Sequence, residues 1–166
     1  MNIILLGFHG SGKTVVGKML ADQLWATFVD VDETVAAQFA REGLDGDLAA
    51  VTAAQAKMLA ALSEDPQTIV AASSVAVPEE STAQALKAHS RLVYLRAEPA
   101  VLTERIAADP IRARANYPQF RRTEIADVAA GLTNRDAAWA AMADLTLETG
   151  PMNPQTIVRL VVRMAM

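Results

Sequence analysis

The segment Gly7-Phe8-His9-Gly10-Ser11-Gly12-Lys13-Thr14 constrains this chain more than any other stretch. Gly7 and Gly12 are separated by four residues and followed by Lys and Thr, directly after the apolar run Asn2 to Leu6 and directly before helical periodicity from Lys13 to Leu24. A loop of this composition curls so that successive backbone N–H groups face phosphate oxygens, and the helix behind it adds positive potential. Lys13 would bridge the β and γ phosphates and Thr14 would ligate Mg²⁺. The pattern predicts a nucleotide-phosphate site contacted by Gly10, Ser11, Gly12, Lys13, Thr14 and Val15. His9 is assigned no chemistry.

The remainder of the chain alternates short apolar runs with helical stretches, which predicts an α/β domain with a mostly parallel sheet. Strands are expected at Asn2 to Leu6, Thr27 to Val29, Thr68 to Ala72, Arg91 to Leu95 and Asp144 to Glu148. Helices are expected at Lys13 to Leu24, from Asp32 to about Arg41, and at Leu48 to Leu62, Glu79 to Ala88, Pro99 to Ala108 and Thr123 to Met142. A final helix opens at Asn153-Pro154, with asparagine as cap and proline in the first turn. Asp109 to Arg122, with two prolines and four arginines, reads as a mobile surface loop. Trp25, Trp139 and the seven methionines read as packing residues.

Composition excludes several function classes. A net charge of −4 offers no general attraction to nucleic acid or anionic membrane, so an anionic ligand needs a local basic site. The absence of cysteine removes disulfides, zinc-thiolate sites and thiol catalysis, and suits a reducing cytoplasm. No segment reads as a signal peptide or membrane span. The 33 alanines favour helix. No Asn-Lys-x-Asp guanine-recognition sequence occurs, and Ser73 and Ser74 have neither an elbow motif nor a partner histidine pattern for a serine hydrolase. A single domain, 1–166, acting as a monomer on a small molecule, is expected.

Residues 2 to 32, from the apolar run through the glycine-rich loop to Phe28-Val29-Asp30-Val31-Asp32, resemble the opening of the shikimate kinase family, and the similarity continues in outline to the last helix. The Asp-x-Asp after the second strand is the more discriminating half of the match. The resemblance implies a three-layer P-loop kinase fold with a five-stranded parallel sheet, a substrate-binding segment at about 31–63 and a lid at about 109–122. It implies transfer of the γ-phosphoryl of ATP to a hydroxyl of shikimate. By position, Asp30 would hold Mg²⁺ through water, and Asp32 would bind the substrate hydroxyls and accept the attacking proton. Arg112, in Asp109-Pro110-Ile111-Arg112, would neutralise charge on the transferring phosphoryl. Arg135, four residues before Trp139, would grip the substrate carboxylate.

The chain also departs from the family pattern. Three glycines after the third strand are replaced by Ser73-Ser74-Val75, which puts Ser74 against the substrate. A second carboxylate-binding arginine and its glutamate partner are missing from Leu48-Ala49-Ala50-Val51-Thr52, and an arginine near the adenine is replaced around Met152. Loss of one charge-assisted contact would cost about 2–5 kcal/mol in a partly buried site. Either Arg41, Arg114, Arg121 or Arg122 compensates, or the acceptor is another small hydroxylated metabolite. A nucleotide-binding regulator without phosphotransfer is a third reading, against which stand the intact Lys13, Thr14, Asp30, Asp32 and Arg112.

Overall fold

The computed structural model describes residues 2–44, 47–74, 76–109 and 127–166. Five strands, β1 (Asn2–Leu6), β2 (Thr27–Asp30), β3 (Thr68–Ala71), β4 (Ser90–Arg96) and β5 (Leu145–Glu148), form one sheet in the order β2-β3-β1-β4-β5. Every neighbouring pair is parallel, with Ile3 opposite Ile69 and Arg91, Val29 opposite Val70, and Tyr94 opposite Thr146. β1 and β3 are buried along their whole length. Strands covered on both faces have no solvent side on which to alternate polar residues, so they read as continuous apolar runs.

The pleat sends successive residues of β1 into two different cores. Ile4 and Leu6 join Leu92, Tyr94, Val35, Leu59, Leu86, Leu102 and Trp139 on one face. Ile3 and Leu5 join Val93, Leu95, Val16, Leu20, Ile157 and Val161 on the other. The first face is covered by α2 (Val31–Glu42), α3 (Leu48–Glu64), α4 (Glu80–His89), α5 (Pro99–Ala108), α6 (Val128–Leu132) and α7 (Arg135–Met142). The second is covered by α1 (Lys13–Leu24) and α8 (Pro154–Ala165). This three-layer arrangement, with its all-parallel sheet, is the expected α/β class.

Most predicted elements stand within one or two residues of their expected limits, and the cap of α8 is as read: Asn153 Oδ1 accepts from Thr156 N at 2.8 Å, with Pro154 in the first turn. The predicted long helix ending at Met142 is instead broken at Thr133-Asn134 into α6 and α7. Gly131 and a Thr-Asn pair are weak helix formers. The Gly131 carbonyl receives Arg135 Nη1 at 2.6 Å, so a side chain serves one acceptor at the break. Residues 123–126 lie outside the described residues. Trp25 also departs from expectation: it occupies the left-handed C-cap of α1 at φ 54° and is 91% exposed. Trp139 does pack, fully buried, against the ring of Tyr94 at a centroid distance of 5.6 Å.

Gly17 shows how tightly α1 lies on the sheet, because a Cβ there would stand 2.2 Å from the Phe28 ring of β2. Glycine to alanine inside a helix ordinarily gains about 1 kcal/mol. Here the overlap reverses the sign: Gly17→Ala should lower stability by about 1–3 kcal/mol in urea unfolding. Adding Phe28→Leu should recover part of that loss. A stabilised Gly17→Ala single variant would contradict this packing.

Candidate active site

The site forms where three neighbouring strands end. β3 lies between β2 and β1, so the residues following β3 sit between those following the other two. β1 leads into the glycine loop, β2 into Asp30 and α2, and β3 into Ser73 and Ser74. A cavity of about 360 Å³ opens there, lined by Gly10 to Val16, Asp30, Asp32 and Ser74 and, at its far end, by Arg105, Thr149 and Met152.

The loop owes its path to backbone conformations that side chains oppose. Gly7 has φ +148°, and a Cβ on it would stand 2.5 Å from Ser11 Oγ and 2.7 Å from the Leu95 carbonyl. Ser11 N closes the turn onto the Phe8 carbonyl at 3.2 Å. Ser11 Oγ is buried with no hydrogen-bond partner among the described residues. An orphaned hydroxyl in the glycine loop fits a loop whose remaining partner is a phosphate oxygen, since buried polar atoms in folded proteins are nearly all paired.

Lys13 is buried, and its Nζ donates to the carbonyls of Gly7 at 2.7 Å and Phe8 at 3.2 Å and to Ser74 Oγ at 2.9 Å. Ser74 passes the contact on: its Oγ donates to Asp32 Oδ2 at 2.7 Å and its backbone N–H to the same oxygen at 2.9 Å. The opposite oxygen, Oδ1, accepts from Gln55 Nε2 of α3 at 2.9 Å. Asp32 is 4% exposed, and burial pushes its carboxyl up from 3.8 to about 6 despite the opposing influence of the Lys13 ammonium and the two Ser74 hydrogen bonds. The nearby Asp30 adds a smaller push in the same direction as burial.

Asp30 does two jobs at once. Its Oδ1 caps α2 by accepting from Glu33 N at 3.2 Å, and its Oδ2 accepts from Thr14 Oγ1 at 2.7 Å. One carboxylate and one hydroxyl, both hard oxygen donors, are therefore held together beside the loop, a donor set suited to Mg²⁺ shared with phosphate oxygens. Among the described residues no group of three or more His, Cys, Asp or Glu could hold a metal without such help.

The structure brings Gly10, Ser11, Gly12, Lys13, Thr14, Val15, Asp30, Asp32 and Ser74 together as the sequence suggested. Ser74, expected to reshape the pocket, turns out to be the bridge between Lys13 and Asp32. Arg135 does not line this cavity among the described residues; it heads α7 beside Asp136, which Arg96 fixes through Nε at 2.8 Å and Nη2 at 3.1 Å. Tyr94 Oη also donates to Asp136 at 2.7 Å. The Arg96 hydrogen bonds hold the Asp136 carboxyl below the usual carboxylate range, and burial pushes the Tyr94 phenol up. Arg112, Arg114, Arg121 and Arg122 lie outside the described residues. Arg41 and Ala49 are exposed on α2 and α3, and Met152 does line the far end of the cavity.

Two contributors have no individual role in the sequence reading, although Arg105 opens the arginine-rich segment from Arg105 to Arg135 in which phosphate contacts are expected. Arg105 of α5 donates to the Gly10 carbonyl at 3.1 Å, to Thr149 Oγ1 at 3.0 Å and to the Thr149 carbonyl at 2.8 Å, tying the loop to the end of β5. Gln55 is the other. Its signal was present: it interrupts the apolar stripe of Val51, Leu59 and Leu62 on an alanine-rich helix, where an amide needs a partner.

A parallel sheet presenting a phosphate loop beside a buried carboxylate, at the carboxyl ends of its strands, defines a P-loop kinase fold. The particular branch follows from comparison with known proteins. A family model described as shikimate kinase matches residues 9–165. "Shikimate kinase 2" of Yersinia pestis (strain Pestoides F) is 34% identical, over 98% of this chain and 94% of that protein. The shikimate kinase of Acinetobacter baumannii, solved in complex with shikimate, superposes with a TM-score of 0.80 at 22% identity, covering 99% of this chain and 92% of that one. The enzyme of Aquifex aeolicus gives 0.73 at 24% identity over 99% and 96%. The two structures speak to the fold. This chain belongs to the shikimate kinase family.

The raised Asp32 carboxyl carries a stability consequence. Between pH 3.8 and about 6 the folded state holds a proton there that the unfolded chain has released, so stability falls as pH rises through that window. A shift of two units is worth about 3 kcal/mol. Urea unfolding from pH 4 to 7 should show this decline in the wild type, with Asp32→Asn gaining about 3 kcal/mol relative to it across the window. Parallel pH profiles for the two proteins would contradict the assignment.

Proposed function

We propose that this chain transfers the γ-phosphoryl of ATP to a ring hydroxyl of shikimate, with Mg²⁺ as the metal, acting as a monomer in the cytoplasm. The observation that carries the reading is the unbroken contact Lys13 Nζ to Ser74 Oγ to Asp32 Oδ2. A phosphate-binding ammonium and a buried carboxylate stand one hydroxyl apart, so a terminal phosphate held by the first faces an alcohol held by the second. Relatives named shikimate kinase at 34% identity over nearly the whole chain support the acceptor.

In this reading the loop N–H groups of Gly10, Ser11, Gly12, Lys13 and Thr14 cradle the phosphates, with Val15 beside them, and Lys13 turns from Ser74 toward the β and γ oxygens. Thr14 and Asp30 hold Mg²⁺, which when bound with the nucleotide offsets the charge of its phosphate oxygens. Asp32 orients the acceptor hydroxyl and takes its proton as the oxygen attacks in line, a general-base contribution of about 10²–10⁴. Its carboxyl, pushed up to about 6, lies near enough to neutrality to accept that proton and release it again. Ser74 keeps the carboxylate aimed. Arg135, in the 127–166 part, and Arg112, in a lid at about 109–122, take the substrate carboxylate and the transferring phosphoryl. Residues 31–63 form the acceptor-binding segment. With Ala49 in place of an arginine, the carboxylate rests more heavily on Arg135, and an arginine of the lid is the natural second partner.

A coupled ADP-release assay with ATP, Mg²⁺ and millimolar shikimate tests the reading. Shikimate-dependent turnover on the order of 1–100 s⁻¹ is expected, and Asp32→Asn should lower kcat by about 10²–10⁴. Arg135→Ala should raise KM for shikimate by about thirtyfold or more while leaving KM for ATP near the wild-type value. No shikimate-dependent ADP release, with activity on another hydroxylated acid or polyol instead, would overturn the acceptor and leave the kinase class in place.

A further inference from the structure

The helix that carries Arg135 is eight residues long, and Asn134, the residue before it, supplies no side-chain hydrogen bond to its first turn among the described residues. A helix this short has little stability of its own, so its orientation is set by what it is tied to. Two side chains tie it to β4. Asp136, in the first turn, accepts from Arg96 Nε at 2.8 Å and Nη2 at 3.1 Å and from Tyr94 Oη at 2.7 Å. Trp139, fully buried, packs on the ring of the same Tyr94.

Tyr94 and Arg96 are two apart on a strand and share one of its faces. Asp136 and Trp139 are three apart on a helix and likewise share a face. A single tie would let α7 turn about its axis, whereas a fork at one end and an aromatic contact one turn later hold it. The fork is the stiff member, because two parallel hydrogen bonds from a planar guanidinium fix an angle as well as a distance. Arg96 is held in turn from the far side, where its Nη1 donates to Glu148 Oε1 of β5 at 2.6 Å.

Arg135 precedes Asp136 and so points about 100° round the helix from it. It does not line the glycine-loop cavity among the described residues, and its Nη1 donates to the Gly131 carbonyl at 2.6 Å. Its reach toward a bound acceptor therefore depends on how the start of α7 is turned. A misplacement of about 1 Å in such a group can cost a hundredfold. The fork has a second effect on the same residue. Both oxygens of Asp136 are engaged by β4, so the negative charge next in sequence to Arg135 is drawn toward the sheet instead of competing with an anionic acceptor.

We propose that Asp136 and Arg96 are positioning residues for acceptor binding: joined to each other, they aim Arg135 at the carboxylate of an acidic acceptor. The proposal rests on the reading of Arg135 as the partner of that carboxylate. It assigns the pair to acceptor affinity, and to neither nucleotide binding nor the transfer step.

Steady-state kinetics with ATP and shikimate test it on Asp136→Asn, Arg96→Met and Arg135→Ala. Asp136→Asn and Arg96→Met should each raise KM for shikimate by about five- to tenfold, less than the loss of Arg135 itself, with kcat and KM for ATP within about twofold of wild type. In the Arg135→Ala background, Asp136→Asn should add less than about twofold, since nothing is left for it to position. A role in folding alone would lower the melting temperature and leave KM for shikimate in place. If Arg96→Met does not fold, Asp136→Asn, which preserves the shape of the side chain, carries the test. An unchanged KM for shikimate in Asp136→Asn where Arg135→Ala raises it, or an undiminished effect of Asp136→Asn in the Arg135→Ala background, overturns the proposal and leaves the role of Arg135 standing. An unchanged KM in Arg135→Ala removes that role and the proposal with it. A measurement without turnover decides the matter for any acceptor. In ¹⁵N-labelled protein the Arg135 Nε–Hε resonance, assigned by its loss in Arg135→Ala, should show a lower heteronuclear NOE in Asp136→Asn, while the backbone amides of the glycine loop keep theirs. Unchanged order at the Arg135 side chain overturns the proposal.

Discussion

Two opposite charges buried one hydroxyl apart are the constraint on which the rest of this structure turns. Lys13 and Asp32 are 7% and 4% exposed, and each loses hydration that its neighbours must replace. Two backbone carbonyls and Ser74 satisfy the ammonium, while Ser74 and Gln55 satisfy the carboxylate. The strand order makes this possible. Because β3 separates β1 from β2, Ser74 arrives between the two charges, where the order of elements along the chain alone would not put it. A crevice at the carboxyl ends of strands whose order changes direction is where ligands of open parallel sheets collect.

The arrangement also costs stability. The Asp32 carboxyl titrates far above its ordinary value because burial outweighs its partners, so neutral pH holds a charge in place against a desolvation penalty. That penalty is met by the two apolar cores on either face of the sheet, each anchored in fully buried β1 and β4 residues. Two guanidinium groups brace the structure differently, Arg105 at the cavity and Arg96 away from its lining. Arg105 ties Gly10 to Thr149, and Arg96 ties α7 to β4 and β5 through Asp136 and Glu148 at 2.8 and 2.6 Å. The first fixes the loop against the strand end, and the second fixes the helix start from which Arg135 projects.

The parts legible in the sequence are those governed by local rules. The strands announced themselves as apolar runs, α8 by its Asn-Pro start, and the glycine loop by spacing that backbone geometry demands. What sequence alone missed depends on contacts between distant residues. Gln55 and Asp32 are 23 positions apart, and only the facing of α2 and α3 turns an amide on an apolar stripe into a partner for a carboxylate. Arg105 reaches Gly10 across 95 positions. Ser74 was visible as a departure from a glycine pattern, yet its meaning, a hydroxyl able to accept from Lys13 and donate to Asp32, came only with the sheet order. The break between α6 and α7 illustrates the opposite limit, where helical periodicity continued through a Thr-Asn pair that local geometry did not follow.

The state of the Asp32 carboxyl tests this account most directly. Carboxyl ¹³C chemical shifts of aspartate-labelled protein, with Asp32 assigned through Asp32→Asn and followed from pH 3 to 9, read its ionisation without relying on turnover. A midpoint near 6 is the result the buried Lys13, Ser74 and Asp32 cluster predicts. A midpoint at or below the ordinary 3.8 would show an exposed or fully compensated carboxylate, and would contradict the buried relay at the centre of the site.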